Sequence, residues 1–210
     1  MWRSHKNGVV GAVASRWSAA YRGVVTVGAA QEEVVLLGPD GERIGTAPKA
    51  TVHQGTTPLH LAFSCYVFDA DDRLLITQRA LTKRTWPGFW TNSFCGHPQP
   101  YESIGAAAAR RAREELGITV TDMWPVLPGF AYSATYAGIE ENEVCPVLVA
   151  RTTVDPTPQA AEVADWAWTT FDAFAARADT SPWAQHQVQQ LRALGPSPQA
   201  WVEAAGRPAA

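Results

Sequence analysis

From residue 32 onward, apolar and polar residues alternate in short runs that predict strands joined by turns. The run EEVVLLGPDGERIGTA, residues 32 to 47, predicts two strands around a Pro-Asp-Gly turn. In LHLAFSCYVF, residues 59 to 68, every second residue from Leu59 to Val67 lies on one face of a strand. His60 lies on the other face, so this strand has an imidazole on the side opposite its apolar row.

Later segments add further strands and two helices. LLITQRA, residues 74 to 80, and NEVCPVLVART, residues 142 to 152, each predict an apolar strand. ESIGAAAARRAREELG, residues 102 to 117, predicts a helix that ends at its glycine, and SPWAQHQVQQLRAL, residues 181 to 194, predicts another. Strands arranged around a central helix indicate an α+β sandwich with a mixed sheet.

Composition narrows the class of protein. The chain has 210 residues, 46% of them hydrophobic and 18% charged, with a net charge of −3, which fits one domain with a sizeable core. A mildly acidic total gives no general attraction to nucleic acid or to anionic membranes. No apolar run is long enough for a membrane span. Three cysteines without CxxC spacing favour a reducing, cytoplasmic setting. We also expect a monomer.

The two ends differ from the middle of the chain. Residues 1 to 31 are basic and lack acidic residues, which is typical of a transit peptide, of a disordered extension, or of a start codon assigned too early. We expect a disordered extension there, followed by the functional domain over residues 32 to 195. Residues 196 to 210 are rich in Pro, Gly and Ala, so we expect a loosely held tail.

The stretch TNSFCGHPQP places a thiol and an imidazole on either side of a glycine, as Cys95, Gly96 and His97. This spacing fits a metal clip, a nucleophile with its base, or a buried cysteine next to an unrelated histidine. The stretch alone does not separate these three interpretations.

The predicted helix carries a face that changes from apolar to charged. At about 100° per residue, Ile104, Ala108, Arg111 and Glu115 lie within roughly 60° of one another. An ordinary surface ion pair between Arg111 and Glu115 would explain this face. A functional site would explain it as well, and the surrounding spacing favours the second interpretation.

That spacing resembles the Nudix box, a loop–helix–loop motif whose glutamates hold a divalent cation against a diphosphate. The matching positions are Gly96, Glu102, Arg110, Glu114, Glu115, Gly117 and Ile118. Where the box has a further glutamate, this chain has Arg111, and Ala112 replaces a bulky aliphatic residue. A guanidinium removes an oxygen ligand and repels cations, so the resemblance implies binding of one cation and a diphosphate without hydrolysis.

Two carboxylates point to a second metal site. Glu141 and Glu143 are two residues apart in a predicted strand, so both side chains lie on one face. Carboxylates that enter an apolar interior are costly unless they are paired or bind a metal. With imidazoles nearby they would form a mixed N/O site suited to Mn²⁺, Zn²⁺ or Fe²⁺ more than to Mg²⁺ alone.

Three longer motifs, HQGTTPLHLAFS, WPGFWTNSFCGHP and ENEVCPV, resemble the type I isopentenyl-diphosphate Δ-isomerases, which share the Nudix fold as an α/β/α sandwich. The resemblance covers roughly residues 33 to 195. It implies an allylic proton shift between isopentenyl and dimethylallyl diphosphates, with Mg²⁺ and one Mn²⁺ or Zn²⁺ and without flavin. The implied ligands of the transition metal are His53, His60, His97, Glu141 and Glu143.

The resemblance also implies roles for further residues. Cys95 and Glu143 would be the acid and the base, in an order that stays open, with Tyr132 as a proton relay and Trp183 facing a carbocation-like state. Glu115 would bind the Mg²⁺ that bridges to the diphosphate. The cations implied to hold the diphosphate are Lys49, Arg79, Lys83 and Arg111.

Two other functions compete with the isomerase. A Nudix hydrolase of a nucleoside or isoprenoid diphosphate would need the carboxylate that Arg111 replaces. A non-catalytic diphosphate-binding protein would have no use for the Cys95 thiol.

Overall fold

The structure is a computed structural model that describes residues 32–53 and 55–206. The expected disordered extension, residues 1 to 31, lies outside the described residues, as do the last four residues of the expected tail. No helix within the described ranges is long and apolar enough to cross a membrane.

The described residues form two mixed sheets. The first has the strand order β2-β1-β3-β10-β9. Its strands are Glu33–Leu37 (β1), Arg43–Pro48 (β2), His60–Leu61 (β3), Ala131–Tyr136 (β9) and Ile139–Val144 (β10). β1 and β2 pair antiparallel, so the predicted hairpin around the Pro-Asp-Gly turn is confirmed.

The second sheet has the order β12-β5-β4-β11-β8, with two short strands, β6 and β7, paired to β5 and β4. Its strands are Phe63–Phe68 (β4), Leu74–Arg79 (β5), Trp90–Thr91 (β6), Phe94–Gly96 (β7), Thr121–Leu127 (β8), Val147–Arg151 (β11) and Val163–Thr169 (β12). β4 is buried on both faces, since Cys65 and Tyr66 are both fully buried.

Two of the predicted strands are each divided between the sheets. The prediction of one continuous strand over residues 59 to 68 and another over 142 to 152 was wrong: Ala62 separates β3 from β4, and Cys145 and Pro146 separate β10 from β11. Pro146 has no N–H to continue the ladder. The two breaks lie side by side, and the Ala62 N–H donates a hydrogen bond to the Val144 carbonyl at 2.9 Å. The pocket described below is lined by residues of both sheets.

The described residues form five helices, of which all but the first cover the two faces of the second sheet. They are Lys49–Val52 (α1), Ile104–Leu116 (α2), Phe171–Ala175 (α3), Pro182–Leu194 (α4) and Pro198–Ala204 (α5). The alanines of α2 pack with Phe63 and Leu75 on one face. Residues of α4 and α5 pack with Tyr66 and Phe68 on the other. The predicted α/β/α sandwich is therefore confirmed.

The predicted end of α2 at Gly117 is confirmed, and the helix begins at Ile104, two residues after the predicted start at residue 102. The Ser103 hydroxyl accepts from the Ala106 N–H at 3.2 Å, which caps the first turn. Gly117 ends the helix in the left-handed region at φ 66°, a conformation that favours glycine.

The loosely held tail was predicted wrongly over residues 198 to 204. These residues form α5, and Trp201 is fully buried. Its ring packs against Phe171 with centroids 4.7 Å apart and against Phe68 at 5.9 Å. Its indole N–H donates to the Gly195 carbonyl at 2.8 Å. One large aromatic side chain attaches a segment whose composition otherwise resembles a tail.

Trp201→Ala should lower the free energy of unfolding by about 3–5 kcal/mol, the usual cost of removing a fully buried aromatic side chain. Urea unfolding followed by circular dichroism would measure it. Glu203→Ala, an exposed change on the same helix, should leave the urea midpoint nearly unchanged. Equal midpoints for Trp201→Ala and the wild type would show that the tail is loosely held after all.

Candidate active site

One pocket of about 460 Å³ collects almost all of the predicted site residues. It is lined by strands of both sheets, by α2 and by the start of α4. The predicted residues at its wall are Lys49, His53, Arg79, Lys83, Cys95, His97, Arg111, Glu115, Tyr132, Glu141, Glu143 and Trp183. His60 lies behind the wall and is fully buried.

Four of the predicted metal ligands form a compact group. One ligand atom from each of His53, His60, His97 and Glu143 lies within 4.8 Å of the others. The three imidazole Nε2 atoms converge on Glu143 Oε1, at 3.9 Å for His53, 3.3 Å for His60 and 3.1 Å for His97. The pairing of β3 with β10 places His60 directly beside Glu143.

The hydrogen bonds of His60 show which of its nitrogens is available. Its Nδ1 lies 2.9 Å from the Pro58 carbonyl, and since a carbonyl only accepts, Nδ1 carries the proton. Its buried Nε2 has no hydrogen-bond partner among the described residues. A bare, buried imidazole lone pair directed at a carboxylate is the donor arrangement that a divalent cation requires.

The electrostatics of the group fit the same ligand. Burial acts to raise the pKa of Glu143, but the adjacent imidazoles of His53, His60 and His97 outweigh it and hold that pKa well below its usual range. Burial lowers the pKa of His97 to about 4, so this imidazole is neutral at physiological pH. For His60, burial acts to lower the pKa, but the negative charge of the adjacent Glu143 outweighs it, so the pKa is raised. An anionic carboxylate surrounded by imidazoles suits a divalent ion that accepts N and O ligands.

Glu141, the fifth predicted ligand, lies outside this group. Its Oε1 accepts from the Thr85 hydroxyl at 2.8 Å and its Oε2 from the Tyr132 hydroxyl at 2.8 Å. Burial and then the charge of Glu143 raise the pKa of Glu141. The structure therefore brings four of the five predicted ligands together. Both oxygens of Glu141 accept hydrogen bonds from hydroxyl groups next to this group. Its role as a ligand stays a prediction.

Cys95 lies on β7 with its thiol at the pocket wall. Its Sγ lies 3.3 Å from the Ser64 hydroxyl and 3.3 Å from Asn92 Oδ1. Burial raises the pKa of the thiol to about 12, so it is protonated at physiological pH. A protonated thiol is a proton donor rather than a nucleophile.

Gly96, between Cys95 and His97, lets β7 approach α2 closely. A Cβ at this position would lie 2.9 Å from Arg111 Cγ and 3.0 Å from Phe63 Cζ. Only glycine fits there without a shift of its neighbours. The first glycine of the Nudix-like spacing thus joins the strand that carries the thiol to the helix that carries the charges.

Trp183 forms one wall of the pocket. Its indole N–H donates to the Thr91 hydroxyl at 3.1 Å, which orients the ring. Trp86 packs edge-on against it at 5.3 Å, and the Tyr132 ring lies 5.8 Å away. The Arg79 guanidinium lies over the ring at 5.2 Å. The aromatic wall and the cationic end of the pocket therefore meet at this residue.

The other predicted cations are paired with carboxylates. Arg111 bonds Glu115 at 2.6 Å and Glu162 at 3.3 Å, and its side chain is largely buried. Burial acts against the charge of Arg111, but Glu115 and Glu162 outweigh it and raise the pKa of the guanidinium. Arg111 thus fills the place of a metal-binding glutamate with an ion pair.

Lys83 and Lys49 have carboxylate partners as well. Lys83 bonds Glu162, and Lys49 bonds Glu32 at 2.6 Å. Sequence reasoning missed both of these glutamates, and also Thr85. Glu162 and Thr85 belong to no motif, and their positions become clear only when the loop after β5, the start of β12 and α2 lie together.

The fold and the site define the class of protein. Residues 58–191 match the family described as NUDIX domain, so the chain belongs to that family. Within it, the chain belongs to the isopentenyl-diphosphate Delta-isomerases. It is 54% identical over 167 residues to the isopentenyl-diphosphate Delta-isomerase of Frankia alni, and this alignment covers 78% of this chain and 86% of the relative. The enzyme of that name from Saccharopolyspora erythraea is 51% identical over 179 residues, or 82% of this chain and 92% of the relative.

A solved structure supports the fold. The crystal structure of DR0079 from Deinococcus radiodurans superimposes with a TM-score of 0.58 at 18% identity, over 76% of this chain and 98% of that one. At this identity the likeness concerns the fold alone. The resemblance inferred from the motifs is confirmed by the family membership.

Proposed function

We propose that this pocket catalyses the reversible allylic proton shift between isopentenyl diphosphate and dimethylallyl diphosphate. The observation that carries the proposal is that the Cys95 thiol and the Glu143 carboxylate line one cavity with an aromatic wall. The reaction adds a proton at one carbon and removes a proton from another. It needs one donor and one acceptor in either direction, and this pair supplies both.

The aromatic wall meets the second requirement of the reaction. Protonation of an unactivated alkene builds positive charge on a tertiary carbon, and a desolvated aromatic face stabilises such a charge by about 2 kcal/mol. Trp183 is held in place by its hydrogen bond to Thr91 and by the edge of Trp86. A gain of about 1.4 kcal/mol corresponds to tenfold in rate, so this contribution is large enough to matter.

Tyr132 connects the aromatic wall to the carboxylates. Its ring packs beside Trp183 and its hydroxyl donates to Glu141. Burial raises the pKa of Tyr132 well above its usual range, so the resting hydroxyl is protonated and donates a hydrogen bond. We propose that it passes protons to and from the carboxylates of β10.

The group of His53, His60, His97 and Glu143 fits a Mn²⁺ or Zn²⁺ ion, with Glu141 proposed as a further ligand. Bound there, the ion would supply positive charge that keeps Glu143 ionised and fixed in place. His60 would contribute its free Nε2, oriented by the bond from its Nδ1 to Pro58. At the other end of the pocket Glu115 is proposed to bind Mg²⁺ together with the diphosphate.

The diphosphate end is proposed to consist of Lys49, Arg79, Lys83 and Arg111, all of which line the pocket. Several cations are needed to offset the charge of a diphosphate. A hydrolase would use the position of Arg111 to hold metal ions for an attacking water. Here that position is a guanidinium bonded to Glu115 and Glu162, which favours binding of the diphosphate over its cleavage.

The purified protein with Mg²⁺ and Mn²⁺, and without flavin, should convert isopentenyl diphosphate to dimethylallyl diphosphate in deuterated water. The product should carry deuterium at the newly protonated carbon, because the donor exchanges with solvent. Mass spectrometry of the products, with a colorimetric phosphate assay alongside, would measure both outcomes. The absence of isomer and of deuterium in folded, metal-loaded protein would refute the proposal, and released phosphate would favour the hydrolase.

A further inference from the structure

We propose that Thr85 is a positioning residue that connects the diphosphate-binding Arg79 to the carboxylate of Glu141 beside the metal group. Its hydroxyl lies between the two, in the loop that follows β5. This inference rests on the proposed function, which assigns Arg79 to the diphosphate and Glu141 to the metal. Thr85 itself belongs to none of the motifs that identified the site.

The direction of the hydrogen bonds follows from the inventory of donors. A guanidinium only donates, so Arg79 Nη2 donates to the Thr85 hydroxyl oxygen at 3.2 Å. The single proton of that hydroxyl is then directed to Glu141 Oε1 at 2.8 Å. The two hydrogen bonds therefore run in one direction, from Arg79 through Thr85 to Glu141.

Burial makes the hydroxyl hard to replace. Thr85 is 7% exposed and Glu141 is 8% exposed. In such a setting, a carboxylate oxygen that loses its donor is not readily solvated by bulk water. The other oxygen of Glu141 is already held by Tyr132. The two hydroxyl groups together fix the plane of the carboxylate two residues from Glu143.

The backbone of Thr85 holds Arg79 independently of the Thr85 side chain, so an experiment can disturb Glu141 without releasing Arg79. Its carbonyl accepts from Arg79 Nε at 3.1 Å and from Arg79 Nη2 at 2.9 Å. These bonds do not depend on the side chain. Removing the hydroxyl should therefore disturb Glu141 while leaving Arg79 in place for the diphosphate.

The position of Glu141 next to the metal group predicts the effect of losing the Thr85 hydroxyl. We infer that Thr85 orients Glu141 for the cation held by the neighbouring histidines. The loss of an outer partner that orients a metal ligand typically costs about 10–100-fold in metal affinity or activity. Thr85→Val, which keeps the shape and removes the hydroxyl, should weaken Mn²⁺ binding about tenfold or more and lower kcat by a similar factor.

The test compares Thr85→Val and Thr85→Ser with the wild type in the full chain. Mn²⁺ affinity is measured by electron paramagnetic resonance titration without substrate, and diphosphate affinity by calorimetry with inorganic pyrophosphate. The valine variant should lose Mn²⁺ affinity and kcat but bind pyrophosphate within about twofold of the wild type. The serine variant, which keeps the hydroxyl, should recover most of the Mn²⁺ affinity and the rate.

Thr152→Val is the matched control, since Thr152 is a buried threonine whose hydroxyl donates to the Thr119 carbonyl at 2.9 Å outside the pocket. It should keep wild-type Mn²⁺ affinity and kcat. Unchanged or tighter Mn²⁺ binding by Thr85→Val would overturn the proposal, and so would equal losses in the valine and serine variants. Because Mn²⁺ binding is measured without substrate, an inactive wild type would refute the proposed function while the role of Thr85 is still tested.

Discussion

Cys95→Ala should lower the rate of isomerisation by about 10²–10⁴-fold, the usual contribution of a positioned acid or base. The thiol lies at the wall of the pocket with its pKa raised by burial, and alanine removes it without adding bulk. Steady-state assays with isopentenyl diphosphate would measure the loss. Deuterium incorporation from deuterated water should fall in parallel, since both depend on the same proton donor.

Cys65→Ala is the control for this prediction. Cys65 is a fully buried cysteine on β4, and it packs in the core cluster under α2. Its replacement should cost some stability and leave kcat close to the wild-type value. If Cys95→Ala keeps at least a tenth of the wild-type rate while folded, Cys95 is neither the acid nor the base.

Glu143→Gln should abolish both metal binding and isomerisation. The carboxylate is the point on which three imidazoles converge, and the amide removes its negative charge. The loss of Mn²⁺ affinity should exceed the roughly 10–100-fold cost of removing an outer partner, since the change is in the ligand itself. Metal content after dialysis and Mn²⁺ titration would measure it, together with the rate of isomerisation.

Glu140→Gln provides the matched control on the same strand. The Glu140 carboxylate accepts from the Thr57 N–H and from the Ser133 hydroxyl at 3.0 Å each, away from the metal group. It should retain metal and activity. If Glu143→Gln binds Mn²⁺ like the wild type, Glu143 is not a ligand. If saturating metal restores the full rate of Glu143→Gln, Glu143 has no role in proton transfer.

The elements with a strong local signal could be predicted from the sequence. The helix α2 follows from its run of helix-forming residues and from the glycine that ends it, Gly117. The hairpin of β1 and β2 follows from its turn residues. These features depend on neighbours in the chain, so the pattern of the chain was sufficient.

Two boundaries were predicted wrongly for a reason that lies outside the local pattern. The apolar runs around Ala62 and Pro146 look continuous, but the paired strands pass from one sheet to the other at these residues. Trp201 sits in a segment with the composition of a tail, and its burial depends on a site formed by Phe68 and Phe171. A local window contains none of these partners.

The candidate site divides in the same way. The roles expected for Cys95, His97 and Glu143 were implied by the family resemblance of the motifs around them, since the local spacing alone left several interpretations open. Only the tertiary structure showed three further features: the convergence of the histidines on one carboxylate oxygen, the hydroxyl groups that hold Glu141, and the ion pairs of Glu162 with both Arg111 and Lys83. Such contacts join residues far apart in the chain, and their geometry depends on how the strands pair and which way each buried side chain turns.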